Sequence, residues 1–63
     1  MKYYGVVTEI YNDGSLKTWI NYEKKCDKRP DNTFVEEWDK DVYVDWFNNK
    51  DMAQRFVDSS HRL

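Results

Sequence analysis

Cys26 and His61 are the only soft metal ligands in the 63-residue chain, so a tetrahedral zinc site would have to be completed by carboxylates. A Cys26–His61 nucleophilic pair has no evident third group to orient the imidazole, which leaves Cys26 reading as an inert thiol. Glu36/Glu37 and Asp39/Asp41 have the composition of a general acid–base pair, but a domain of this size offers no deep pocket in which one carboxyl could be desolvated against the other. With only Gly5 and Gly14 there is no glycine-rich phosphate loop, and neither a nucleophile elbow nor a zincin motif is present. The expectation is a chain with no catalytic residue, no metal site and no cofactor.

Binding chemistry is better represented. Five Tyr, three Trp and three Phe outnumber Val, Ile and Leu, an inverted balance that one small core cannot absorb. Some rings must therefore be exposed, and Tyr and Trp are the residues that most often anchor interfaces, because they bury much area with few rotamers to freeze. Charge is segregated along the chain. Lys24, Lys25, Lys28 and Arg29 crowd one stretch, while Glu36, Glu37, Asp39, Asp41 and Asp45 are interleaved with Trp38, Tyr43 and Trp46 in another.

Those side chains have to be held by local structure. Residues 3–22 are rich in Tyr, Val, Ile, Thr and Trp and are broken only by Asn12-Asp13-Gly14-Ser15, a strong hairpin signal. Asp13-Gly14 could make a two-residue turn, or Asn12-Asp13-Gly14 a type I turn closed by a left-handed Gly14. The second is preferred. It pairs Ile10 with Leu16, Glu9 with Lys17, Thr8 with Thr18, Val7 with Trp19, Val6 with Ile20 and Tyr4 with Tyr22, where the first would set Ile10 against Lys17. Tyr4, Val6, Ile10, Leu16, Ile20 and Tyr22 then share one face, and Tyr3, Val7, Tyr11 and Trp19 the other.

Residues 23–32 carry no apolar period and read as an exposed loop, whereas 33–38 and 42–47 alternate as two further strands joined by an acidic turn. Asn48 is placed to cap a helix beginning at Asn49, with Phe47 and Met52 as a hydrophobic staple, and Met52, Ala53, Phe56 and Val57 form its apolar stripe. Ser59-Ser60 reads as its frayed end. The chain is thus expected to be a single small α+β domain over residues 1–63, a β-β-β-β-α antiparallel sheet of three to four strands with one C-terminal helix packed on one face.

One short helix cannot roof both sides of such a sheet, so the other side must meet water or a partner. The expected function is a non-catalytic protein–protein interaction module, a small inhibitor or adaptor or a homodimer. Its anchors would be Tyr3, Val7, Tyr11 and Trp19, its rim Glu36, Glu37, Asp39, Asp41, Tyr43 and Asp45. Two alternatives share these residues. Lys24, Lys25, Lys28 and Arg29 could hold the phosphates of a single strand whose bases stack on the rings, or the acidic segment could mimic nucleic acid and block a protein that binds it. Ten Lys and Arg against twelve Asp and Glu, a net charge of -2 and a pI near 5.2 disfavour nucleic acid as the partner. No apolar run approaches the ~20 residues of a membrane span, so the expectation is a soluble, cytoplasmic protein with no membrane contact. In size, acidity and aromatic content the chain is similar in type to compact bacterial and phage accessory proteins.

Overall fold

The computed structural model describes residues 1–60, in which the chain runs β1 (Lys2–Tyr11), β2 (Leu16–Lys25), β3 (Thr33–Glu36), β4 (Lys40–Phe47) and α1 (Lys50–Ser60). His61, and with it any pairing to Cys26, lies outside the described residues. All strand pairings are antiparallel in the order β2-β1-β4-β3, and the α+β architecture read from the sequence is the one adopted. β1 is paired on both sides, which is why Val6, Val7 and Thr8 in it are buried, while β3 is a short, exposed edge.

The first hairpin closes through the three-residue loop. Tyr11 N–H donates to the Ser15 carbonyl (2.9 Å), Gly14 N–H donates to the Tyr11 carbonyl (3.0 Å), and Gly14 takes the left-handed conformation at φ 89°. Asp13 completes the turn by accepting from the Ser15 amide (2.8 Å) and hydroxyl (2.6 Å), and these bonds, the hydroxyl's first, hold its carboxyl below the ordinary 3.8. The ladder then follows the expected register from Ile10–Leu16 to Val6–Ile20. Beyond that point it shifts: Gly5 pairs with Tyr22 and Tyr4 with Glu23, leaving Asn21 as the extra residue of a β-bulge in β2. The expected Tyr4–Tyr22 pair is not formed, and Tyr22 changes face.

Helix α1 begins one residue later than the spacing predicts. The side-chain oxygen of Asn49, not of Asn48, accepts the amides of Asp51 (2.8 Å) and Met52 (3.2 Å). With the cap displaced to Asn49, Phe47 and Met52 no longer occupy the staple positions that flank it. Met52 is 53% exposed, and the Phe47 ring packs at 5.4 Å from Phe56 instead. Ala53 and Val57 settle on Val6, with Tyr4, Ile20, Phe47 and Phe56 packed around them. At the other end the helix is regular through Ser60, whose hydroxyl donates to the Phe56 carbonyl (3.0 Å), rather than fraying at Ser59. Replacing Asn49 with Ala should lower unfolding stability by about 1 kcal/mol in a denaturant titration, and Asn48→Ala should change it by well under half of that.

Candidate functional site

Val6 lies against the helix, so the even-numbered residues of β1 face α1 and the odd-numbered ones face away. Carried through the pairings, this puts Tyr3, Gly5, Val7, Glu9 and Tyr11 of β1 on the open side. With them are Lys17, Trp19, Tyr22 and Lys24 of β2, Lys40, Val42, Val44 and Trp46 of β4, and Thr33 and Val35 of β3. No helix covers this side, which divides into an aromatic half and a charged half.

The aromatic half is organised by Gly5. Its partners on either side, Tyr22 and Trp46, reach over it and stack on each other with ring centroids 5.7 Å apart and planes 27° from parallel. A Cβ at position 5 would lie 2.9 Å from Tyr22 Cδ2 and 3.0 Å from Trp46 Cη2, so only glycine leaves room for the two rings to meet. Val7 is the floor of the next row, flanked by Trp19 and Val44, with Val42 and Val35 beyond. Trp19, Tyr22 and Val35 remain 37%, 46% and 53% exposed.

In the charged half, Lys40 Nζ donates to Glu9 Oε2 at 2.7 Å and the Tyr11 hydroxyl donates to Glu9 Oε1 at 3.1 Å. The ammonium groups of Lys40 and Lys17 stand 5.4 and 5.6 Å from the Tyr11 ring centroid, within cation–π range. The Lys40 hydrogen bond is the main reason the Glu9 carboxyl sits below its ordinary 4.5, and the same bond raises Lys40 above 10.5. Lys17 and Lys24 are exposed and bring further positive charge to this face.

Several expected site residues stand elsewhere. Tyr3 (7% exposed) and Val7 (5%) are on the expected face but buried, Val7 in a strand paired on both sides, so neither is a surface anchor. Trp19 is exposed, and Tyr11 is half-buried inside the Glu9 network. The acids do not rim this face. Glu36, Asp41, Tyr43 and Asp45 project on the helix side, because Val6 pairs with Asp45 and Glu36 with Asp41; Glu37 and Asp39 lie in the β3–β4 turn. Of the basic stretch, Lys24 is on the open face and Lys25 on the other, while Lys28 and Arg29 occupy the loop after β2. Arg29 borders a recess of about 460 Å3 that is also lined by Tyr3, Asn32, Trp46 and Phe47. Gly5, Tyr22, Val42 and Val44 were not among the expected site residues. A glycine inside an aromatic strand is the signal that marks a close approach, but which rings approach depends on the bulge and on the strand order.

Among the described residues no three His, Cys, Asp or Glu side chains come together as a metal site. No helix among them is long and apolar enough to cross a membrane. No protein-family model, curated protein or solved structure matches the chain.

Gly5→Ala should cost about 1–3 kcal/mol through overpacking, because the nearest atoms include Tyr22 Cβ, which cannot swing aside; urea unfolding measures it. Since Glu9 is lowered on folding, its contribution is present at neutral pH and is lost as pH falls from 4.5 through the folded value. Lys40 is raised, so its contribution is complete below 10.5 and is lost as pH rises through its folded value. The stability of Glu9→Gln should therefore fall less steeply than that of the wild type in unfolding titrations below 4.5.

Proposed function

We propose that this chain is a non-catalytic protein-interaction module that docks a partner protein on the open face of its sheet, as a small inhibitor or adaptor of the bacterial or phage accessory type. The observation that carries the reading is the band formed by Trp19, Tyr22, Trp46, Val44, Val42 and Val35, which is continuous, partly exposed and on the side of the sheet that the helix leaves uncovered. The two larger dimensions of the molecule, 37 and 23 Å, allow a contact close to the ~800 Å2 per partner of a standard interface. Aromatic hot spots beside aliphatic area are the composition such an interface uses.

The charges on this face favour one kind of partner. Lys17, Lys24 and Lys40 all lie on it, its strand carboxylate Glu9 is already bound to Lys40, and Glu37 of the β3–β4 turn comes within 3.9 Å of the same ammonium. A two-fold-related second copy would turn the same lysines towards one another, so the reading favours a different protein with an acidic rim over a homodimer. The single free thiol suits a reducing, cytoplasmic setting.

Single-stranded nucleic acid is the second reading, supported by Lys17 and Lys24 flanking Trp19 and Tyr22. It is weaker because base stacking needs free ring faces, and Tyr22 and Trp46 have each committed one to the other, while the middle of the band is aliphatic.

Proteins captured by the wild-type chain should be lost with Trp19→Ala and with Tyr22→Ala, at a cost of roughly tenfold or more in affinity each. They should be retained by Met52→Ala, which alters an exposed residue of the helix. Capture that is indifferent to both ring substitutions would sink the protein-docking reading, salt-sensitive quenching of Trp fluorescence by oligo-dT would transfer support to nucleic acid, and a dimer in sedimentation would replace the foreign partner with a second copy.

A further inference from the structure

A second surface, separate from the open face, lies at the β3–β4 turn. Trp38 is 91% exposed there, more than any other large apolar residue described. The turn that carries it is braced. Glu37 N–H donates to the Lys40 carbonyl (2.8 Å), and the first hairpin grips the turn from the side through Asn12, whose amide donates to the Asp39 carbonyl and whose side-chain nitrogen donates to the Trp38 carbonyl, both at 3.1 Å.

The turn and the strand ends that flank it carry four carboxylates with little to neutralise them. Glu36 and Asp41 are direct cross-strand partners, an arrangement that like charges destabilise. Among the described residues Glu36, Asp39 and Asp41 have no ion pair. Glu37 has only Lys40 at 3.9 Å, and that ammonium is engaged at 2.7 Å by Glu9. The sheet gains nothing from two opposed acids, whereas a cationic partner would turn them from a cost into an attraction.

We propose that Trp38 is the anchor of a second docking site, a rigid knob that inserts into an apolar pocket bordered by Lys and Arg on a partner protein. The indole supplies buried area from a backbone that needs little ordering on binding, and Glu36, Glu37, Asp39 and Asp41 set its orientation against the basic border. The site goes beyond the open-face reading and stands or falls apart from it.

The test uses the full chain labelled with 5-fluorotryptophan, whose three 19F resonances are assigned by single Trp→Phe substitutions. It is titrated with an amphipathic Lys/Leu peptide and with a Lys/Ser peptide of equal length and charge. The Lys/Leu peptide should shift the Trp38 resonance saturably and bind roughly tenfold or more tightly than the Lys/Ser peptide, a preference that Trp38→Ala removes. Asp41→Asn should weaken the Lys/Leu peptide several-fold while leaving the melting temperature unchanged or higher, since it relieves a like-charge pair. Equal affinity for the two peptides, a lower melting temperature for Asp41→Asn, or shifts at Trp19 and Trp46 in place of Trp38 would overturn the proposal. Trp19→Ala, which tests the open face, should leave this titration unchanged.

Discussion

A ten-residue strand is about 33 Å long and an eleven-residue helix about 16 Å, and that mismatch governs the rest of the molecule. Helix α1 can roof only the part of the sheet around Val6, Ile20 and Phe47. Among the described hydrophobic residues only Val6 and Ala53 are fully excluded from water. Everything else the sheet presents must be stabilised within the layer itself or by something outside the chain. On the helix side, beyond the reach of α1, Phe34 and Tyr43 pack against each other at 4.8 Å and stay 53% and 37% exposed.

The open side stabilises itself with cross-strand interactions, which act sideways and need no roof. Gly5 is the narrow place that lets Tyr22 and Trp46 touch across the strand between them. The Glu9–Lys40–Tyr11 group does the same at the other end with charge and hydrogen bonds. The Tyr22 and Trp46 rings and the Lys40 ammonium are thereby held in place within the layer.

Alternation in the strands also sorts charge that in the linear chain looks merely clustered. Lysines 17, 24 and 40 go to the open face, and Glu36, Asp41 and Asp45 to the reverse. The net charge of -2 conceals this separation. A basic, aromatic face and an exposed indole flanked in the chain by acids therefore coexist on one small sheet.

Sequence by itself determined what short-range chemistry controls. The Asp13–Gly14 turn, the register as far as Val6–Ile20, the alternation of the later strands and the Ala53/Val57 stripe all follow from turn stereochemistry and from periods of 2 and 3.6 residues. Such periods tell which residues of a strand share a face, but not which faces of different strands coincide. Tertiary structure alone decided that. Placing β4 beside β1 brought Trp46 to Tyr22, a bulge at Asn21 moved Tyr22 across the layer, central position buried Val7, and Asn12 secured the turn that displays Trp38. Each of these outcomes is set by pairing between residues far apart in the chain, where one inserted residue reverses the parity of all that follow.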